Sequence, residues 1–248
     1  MNRPILLIFF FSLLIFQIFN FSTLFSQHRF EIDIAAGFSR PLLEAYGTNV
    51  TLSPEQDRIF VDGKRLIVSD NLGTDVGYTV ELYGKYNLIN PGYIKILLNI
   101  GYNRLYSIYP GPGDDYGVRV QSFSIGTGVE LSPLAKFRLT PSIFVLLRYN
   151  LVGGESYHHA GLDFFKATSR FGYSAGLKLS YGINNKLGVF TGWSYNYDNL
   201  WNKEINPDEQ YDAHVIAFRD EASPDNGLTH DRRVAYASYI AGMTFYFK

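Results

Sequence analysis

The residues best suited to chemistry are grouped around two adjacent histidines. His158 and His159 could bind a metal ion together with Asp163, but adjacent imidazoles lack the spacing that presents two ligands on one face of a helix. Ser156 and His158 could form a nucleophile and base, with Asp163 as the acid that orients the histidine. Both arrangements fall in a predicted loop, where solvated polar residues are the simpler interpretation. The sequence therefore predicts no catalytic residue and no metal site.

The other candidate ligands are dispersed among predicted loops. His214 and His230 lie in loops, and the acid-rich stretches 113–116 and 206–212 lack the ligand spacing of a calcium-binding loop. The sequence has no glycine-rich phosphate loop or dinucleotide-binding motif, so no cofactor is predicted. The absence of cysteine excludes disulfides, cysteine-ligated metals and the lipidated cysteine of a bacterial lipoprotein. The formal net charge of −1 provides no basic field, so no nucleic-acid partner is expected.

A second group of charged residues alternates with apolar residues along the chain. Charges of both signs recur there with glycine and serine, which suits the interior of a narrow barrel filled by ion pairs and hydrogen bonds. The predicted lumen charge network is Glu31, Asp33, Glu81, Lys85, Lys95, Glu130, Arg138, Arg148, Arg170, Lys178 and Asp198. Within it, Arg138, Arg148 and Lys178 are expected to pair across the bore with Glu81 and Glu130.

Eight segments with period-two alternation must position these charges. In the clearest segment, Phe171 and Leu177 share one face while Ser174 and Lys178 share the other. Pro141 cannot donate a ladder hydrogen bond, so a bulge or bend is expected there. The predicted strands begin at Phe30 and continue over about 76–88, 93–107, 119–132, 137–151, 170–182, 187–198 and 233–247.

The connections between these segments alternate in length. Short connections are predicted near 90–92, 132–136 and 184–185, and long ones over 41–74, 108–118, 152–169 and 200–232. Short turns on one side and long loops on the other are typical of membrane barrels, with the short turns periplasmic. Residues 58–68 predict a hairpin around Asp62-Gly63, but its arms are too short to cross a membrane, so it belongs to the first long loop.

The direction of the apolar faces decides between a soluble and a membrane barrel. Because the polar faces carry small and charged residues, the large side chains are predicted to point outward into lipid. Two groups of outward aromatic residues then predict two membrane interfaces. The predicted aromatic girdle is Phe30, Phe38, Tyr78, Tyr86, Tyr102, Phe137, Tyr149, Tyr181, Trp193, Tyr197 and Phe247. The predicted fold is all-β, an eight-stranded antiparallel transmembrane β-barrel with short periplasmic turns and long extracellular loops.

The N-terminal segment predicts export. Arg3 precedes an apolar run over residues 5–16, followed by a more polar tail, which is the order of a signal peptide. That run is shorter than the roughly 20 residues of a spanning helix, so cleavage is favoured over a retained anchor. Ser26 or Gln27 is the expected last residue removed. The predicted organisation is a signal peptide over 1–26 and a barrel domain over 27–248.

The chain resembles a known family in its eight alternating strands, in LSYGINNKLGVFTGW around a tight turn, and in its ending AGMTFYF. These features are similar to the outer-membrane β-barrel domain family of OmpA/OmpX-like small barrels of Gram-negative bacteria. The resemblance covers essentially all of the mature chain, and it implies outer-membrane lipids as surroundings. It also implies the barrel-assembly machinery as a partner during biogenesis, with Phe245 and Phe247 as the assembly signal. Lys248 departs from that signal, which usually ends on the aromatic residue.

The predicted function is non-enzymatic. We expect an integral outer-membrane protein with a side-chain-filled lumen and a structural, surface-interaction or envelope-complex accessory role. Its extracellular loops would contact a surface ligand or an envelope protein complex. The alternatives are a narrow or gated channel and, less favoured, an outer-leaflet lipid hydrolase. We expect no steady ion conductance, and we expect neutralisation of several lumen charges to create flickering conductance.

Overall fold

The computed structural model describes residues 28–46, 60–61, 64–65, 71–89, 92–107, 117–158, 161–205, 215–223, 228 and 230–247. The predicted signal peptide over 1–26 lies outside these residues and stays a prediction, as does the division of the chain at that point. No helix among the described residues is long and apolar enough to cross a membrane.

Strands dominate the described chain. A single 3-10 turn, Leu43–Ala45, follows the first strand. The strands are β1 (Phe30–Leu42), β2 (Phe60–Val61), β3 (Lys64–Arg65), β4 (Val76–Ile89), β5 (Ile94–Tyr106), β6 (Gly117–Leu131), β7 (Leu139–His158), β8 (Gly161–Gly182), β9 (Leu187–Trp201), β10 (Val215–Ile216) and β11 (Ala235–Phe247).

Eight of these strands close into a barrel. Each barrel strand pairs antiparallel with its neighbours along the chain, in the order β1, β4, β5, β6, β7, β8, β9, β11. The ring closes because β1 also pairs with β11, so that Phe30 lies opposite both Tyr86 and Phe247. The predicted fold is confirmed: the protein is a closed eight-stranded antiparallel barrel.

The outer wall of the barrel is apolar. Along β1 the burial alternates strictly, with Ile32 and Ile34 exposed and Asp33 fully buried between them. Large side chains such as Leu98 and Leu147 are 64% and 61% exposed around the outside. Exposure of so many large apolar side chains is unfavourable in water, whereas it is the expected surface of a barrel in lipid. The wall is therefore built to face a hydrocarbon environment.

The central residues of the segment predicted over 58–68 form a hairpin, and this hairpin is not part of the barrel sheet. Phe60 pairs with Arg65 and Val61 with Lys64, so β2 and β3 form a separate two-stranded sheet. Two residues per strand are far fewer than the roughly 9 to 11 that a tilted spanning strand needs.

The bulge predicted at Pro141 is absent. The register between β7 and β8 runs without a shift from Leu139 to Val152 and changes only between Val152 and Gly154. Pairing between β7 and β6 ends at Ile143, so Pro141 lies beyond that ladder and costs no hydrogen bond to β6.

Two further predicted loops are partly sheet. The loop predicted over 152–169 is largely a continuation of β7 and β8, which pair as far as His158 and Gly161. The loop predicted over 200–232 contains β10, where Val215 pairs in parallel with Phe164 of that extension. At about 3.3 Å per residue and a tilt near 40°, the part of β7 from Tyr149 to His158 rises roughly 20 Å beyond the outer aromatic residues.

The prediction that all large side chains face outward is wrong. Seven inward positions in the middle of the barrel form an apolar cluster: Ala35, Tyr83, Leu97, Phe144, Leu146, Phe190 and Ile240. An eight-stranded barrel has just enough internal space for side chains to fill it, and large apolar residues fill space without needing hydrogen-bond partners. The lumen is consequently built in alternating polar and apolar layers.

Candidate functional site

The half of the lumen nearest the short turns, which the connection lengths predict to be the periplasmic end, holds a compact ion cluster, named here the periplasmic cluster. Lys178 on β8 lies 3.0 Å from Asp33 and 2.7 Å from Glu130. Lys85 on β4 contacts the same two acids from the opposite side of the bore. Lys85 lies 2.5 Å from Asp33 and 3.0 Å from Glu130. Lys95 extends the cluster to Glu31 at 2.7 Å. Each charged side chain is buried, and each has opposite charges within contact distance, so desolvation is compensated.

An apolar layer separates this cluster from the rest of the lumen. The rings of Tyr83 and Phe144 meet edge to face at 6.2 Å, and the ammonium group of Lys178 lies 5.1 Å from the Phe190 ring centre. Gly176 makes room for this packing, because a Cβ at that position would come within 2.7 Å of the Phe144 ring. The cavity beside Phe144 and Lys178 has a volume of about 10 Å³, which is too little for a hydrated path.

A second polar layer centres on Arg148. Its guanidinium lies 3.4 Å from Glu81 and donates to Asn196 at 3.0 Å, and it also contacts Ser124. Asn99 donates to the other Glu81 oxygen at 2.6 Å. This layer is buried as completely as the ion cluster below it.

The remaining acid of the second polar layer is Asp198. Tyr236 donates its hydroxyl to Asp198 Oδ2 at 3.0 Å, and Asn150 donates to the Asp198 main-chain oxygen at 2.7 Å. Asp198, Asn150 and Tyr236 come from three different strands, β9, β7 and β11, so the layer ties distant parts of the wall together.

The outer mouth is closed by a segment of the last long loop. Arg170 on β8 donates two hydrogen bonds to Asp220, at 2.9 and 2.8 Å, and a third to the main-chain oxygen of Phe218. Asn199 donates to Asp220 at 2.7 Å. The Phe218 side chain thereby enters a buried apolar group over the bore with Leu72, Val118, Val120, Val152 and Val234.

Two surface ion pairs fasten the chain around this cap. Arg233 contacts Glu44 through both oxygens of the carboxylate, which joins the 3-10 turn to the approach of β11. Burial alone would raise the pKa of Glu44, but the hydrogen bonds and charge of Arg233 outweigh it and hold that pKa below its ordinary value. Lys203 lies 2.6 Å from Asp231, whose pKa is lowered by a hydrogen bond from the Ala222 amide and by Lys203.

The structure divides the predicted lumen charge network into three groups. Glu31, Asp33, Lys85, Lys95, Glu130 and Lys178 form the periplasmic cluster, Glu81, Arg148 and Asp198 form the second polar layer, and Arg170 belongs to the outer cap. Arg138 precedes β7 and is only half-buried, in the wall of a small pocket at the periplasmic mouth with Glu31 and Lys95. The predicted pairing of Arg148 with Glu81 and of Lys178 with Glu130 is present in the geometry.

Several residues of the site escaped the sequence analysis. Asn99 and Asn196 occupy lumen-facing positions, so strand parity alone could have found them. Asp220 and Glu44 lie in connections, where no periodicity indicates which residues turn inward. Strand parity places Tyr83 and Phe190 on the lumen-facing side too, but the rule that large side chains face outward left no apolar layer in the predicted lumen.

Aromatic residues form belts on the outer wall at both ends of the spanning region. Most residues of the predicted girdle are exposed or half-exposed: Phe30, Phe38, Tyr78, Tyr86, Tyr102, Phe137, Tyr149, Tyr181, Trp193 and Phe247. Tyr197 is an exception, since it is buried against Tyr173 with ring centres 6.0 Å apart. Phe123, Phe171 and Tyr239, which the prediction did not include, complete the outer belt. Phe245 is half-buried near the end of β11.

The candidate hydrolase and metal residues stay untested. Cross-strand register places Ser156 opposite Asp163 in the extension of β7 and β8, while the side chains of Ser156, His158 and Asp163 lie outside the described part of the structure. His159 and His214 are also outside it. Among the residues that are described, no group of three or more His, Asp or Glu is placed to hold a metal ion.

Closure of the sheet, an apolar outer wall with aromatic belts and a polar interior together define a small transmembrane β-barrel whose lumen is filled by side chains. No family model matches the chain, and no curated protein matches it.

Several solved structures are similar to it at low sequence identity. Neisserial surface protein A is 13% identical, with a TM-score of 0.46, and the match covers 88% of this chain and 97% of that chain. A major outer membrane protein from Thermus thermophilus is 13% identical, with a TM-score of 0.46, covering 89% and 100%. Ail, the attachment invasion locus protein of Yersinia pestis, is 10% identical, with a TM-score of 0.41, covering 89% and 100%.

Proposed function

We propose that this protein is a closed barrel of a Gram-negative outer membrane that acts through its extracellular surface rather than through its bore. The observation that carries this proposal is the filling of the lumen. The periplasmic ion cluster, the apolar layer and the second polar layer follow one another along the axis, and the loop segment around Phe218 covers the outer mouth. A conducting pore would need a continuous aqueous path through all four.

The extracellular side supplies the surface on which a partner could bind. β6, β7 and β8 continue beyond the outer aromatic belt as a three-stranded sheet, in which Gly117 pairs with Tyr157 and Tyr157 with Leu162. β10 adds a short parallel strand at Phe164. Because cross-strand pairing fixes the register of the three strands, the extension presents one continuous sheet rather than a set of independent loops.

Planar-bilayer recording of the refolded full chain tests the closed lumen. We expect no steady conductance steps at neutral pH, because each layer excludes water by a different kind of contact. The matched reference is a preparation of denatured chain carried through the same dilution, which controls for leakage caused by detergent. Stable steps from the folded barrel would instead support the alternative, a narrow or gated channel.

A separate measurement addresses the enzymatic alternative. Mass spectrometry of outer-leaflet lipids from cells that overproduce the barrel should show the same acyl chains as lipids from cells without it. A change that is retained by Ser156→Ala would not depend on Ser156 as a nucleophile. A change that is lost with Ser156→Ala would contradict the non-enzymatic proposal and place the reaction on the extended hairpin.

A further inference from the structure

The buried charges of the described residues balance in every layer except one. The periplasmic cluster holds three carboxylates and three ammonium groups: Glu31, Asp33, Glu130, Lys85, Lys95 and Lys178. At the outer cap, buried Arg170 faces buried Asp220. In the second polar layer, the single guanidinium of Arg148 faces two buried carboxylates, those of Glu81 and Asp198. With both carboxyl groups ionised, that layer has one uncompensated negative charge, and the apolar layer separates it from the lysines below.

The same layer contains buried oxygen atoms with unused lone pairs. Asp198 Oδ1, Asn150 Oδ1 and Ser122 Oγ are all buried, and Asn150 Oδ1 accepts no hydrogen bond. The Ser122 hydroxyl is placed to donate weakly to the Asp198 carboxylate, which leaves the lone pairs of Ser122 Oγ without a donor. The orientation of Asn150 is set by the bond from its amide nitrogen to the Asp198 main-chain oxygen, which leaves its side-chain oxygen without a donor. The Ser122 hydroxyl lies beside the Asp198 carboxylate. These oxygens therefore belong to one neighbourhood.

A glycine allows this neighbourhood to form. Gly172 lies on β8, between the strands that carry Asn150 and Asp198. A Cβ at Gly172 would come within 2.0 Å of the Tyr197 main-chain oxygen and within 2.9 Å of both the Asn150 amide nitrogen and the Asp198 carbonyl carbon. A side chain at this position would therefore push the two residues apart.

No positive group of the described chain satisfies these oxygens. The terminal nitrogens of Arg148 are directed at Asn196, Ser124 and Glu81, and its Nε makes no hydrogen bond to Asp198. A buried water molecule could donate to two of the oxygens, but it would leave the negative charge in place. Carboxylate, amide and hydroxyl oxygens are the ligands that hard cations prefer.

We propose that the second polar layer binds one small monovalent cation through Asp198 Oδ1, Asn150 Oδ1 and Ser122 Oγ. A single positive charge neutralises the layer, whereas a divalent ion would reverse the imbalance. The bound cation adds a lock between β6, β7 and β9 in the outer half of the barrel. This site does not depend on what the extracellular surface binds.

The test measures stability against Na⁺ concentration. The full chain is refolded into neutral lipid vesicles at pH 8, and its urea unfolding midpoint is compared in NaCl and in N-methyl-D-glucamine chloride of equal ionic strength. We expect a higher midpoint in NaCl. Above half-saturation, each tenfold increase in Na⁺ should raise the ratio of folded to unfolded protein about tenfold.

Three variants locate the effect. Asp198→Asn removes both the charge and one ligand oxygen, so its midpoint should be the same in the two salts. Ser122→Ala keeps the charge and should shift the half-effect to a higher Na⁺ concentration. Asp231→Asn removes a carboxylate outside the lumen and should retain the full Na⁺ effect. Ser122→Ala keeps the test decisive if Asp198→Asn does not fold.

Two results would overturn the cation site. Equal midpoints for the unaltered protein in the two salts would do so, as would a Na⁺ effect that Asp198→Asn or Ser122→Ala leaves unchanged. If the urea unfolding midpoint rises on acidification from pH 8 to pH 5 and does not depend on the Na⁺ concentration, a proton rather than a cation neutralises the layer. The groups facing Asp198 that bear on such a titration are Arg148 from β7, Glu81 from β4 and Tyr236 from β11.

Discussion

Neighbouring residues on one strand of this barrel occupy opposite environments. Leu177 is 56% exposed on the outer wall, whereas Lys178 is 6% exposed between two carboxylates. The same substitution therefore has different consequences at adjacent positions. On the outer wall the cost is desolvation of a charge in hydrocarbon, and it depends on depth in the membrane. In the lumen the cost is the loss of specific partners.

Two outward-facing leucines allow the same substitution to be compared at two depths in the membrane. Leu177→Arg places a charge near the middle of the bilayer and should lower the free energy of unfolding by about 2 to 4 kcal/mol. Leu151→Arg makes the same change just beyond the belt residue Tyr149 and should cost at most about 1 kcal/mol. Urea titration of both variants in lipid vesicles measures the difference. Equal costs would show that the wall does not sit in lipid at this depth.

At the scale of elements, β7 and β8 are longer than a membrane crossing requires, and their outer parts serve as a support. Residues of the last long loop lie against this support because Arg170, on β8, is paired with Asp220 from the loop. The Phe218 side chain follows Asp220 into the mouth of the barrel. The cap is thus held by a buried ion pair with its hydrogen bonds, by the apolar contacts beneath it, and by Asp231, which accepts from the Ala222 amide and pairs with Lys203.

Removal of the acid should release this segment without unfolding the barrel. Asp220→Leu leaves the buried Arg170 guanidinium with only the partly exposed Glu204 carboxylate, 3.6 Å away, which is strongly unfavourable, so residues 215–223 should detach. Limited proteolysis of the barrel in liposomes should then cleave this segment faster. Arg119→Gln removes an exposed ion pair with Glu155 outside the cap and should leave the cleavage rate nearly unchanged. Equal cleavage rates for Asp220→Leu and the unaltered chain would show that apolar contacts alone hold the cap.

At the scale of the whole molecule, the bore is closed by layers that do not depend on one another. The ion cluster relies on charge pairing, and the layer above it relies on the packing of apolar side chains. A defect in one layer leaves the other in place. This redundancy changes the expectation drawn from the sequence, in which neutralising the lumen charges was enough to open a flickering path.

The order of opening can be tested by combining substitutions. Asp33→Asn with Lys178→Met removes one acid and one base from the periplasmic cluster, and we expect bilayers containing this variant to stay silent. Adding Phe144→Ala and Phe190→Ala removes two rings from the apolar layer and should produce brief conductance events. The phenylalanine substitutions alone should stay silent, since the charged layers remain. Conductance from the charge variant alone would show that the apolar layer is not a seal.

The amino-acid sequence by itself determined the strands, their faces and the closed antiparallel barrel. Period-two alternation reports directly on the two sides of a sheet, and alternating connection lengths report on the two ends of a barrel. For this reason the inward positions of Asp33, Arg148 and Lys178 followed from parity alone. Local patterns of this kind need no knowledge of distant contacts.

Tertiary structure decided how the lumen is divided and how its mouth is closed. Phe144 and Phe190 face inward among apolar residues that match those of the outer wall, so only packing across the bore shows that they form a layer. Asp220 meets Arg170 across a sequence separation of 50 residues, within a connection that has no periodicity. The uncompensated charge near Asp198 emerges only when the buried groups are counted layer by layer. These features depend on contacts between strands that are distant in sequence, and local patterns do not encode such contacts.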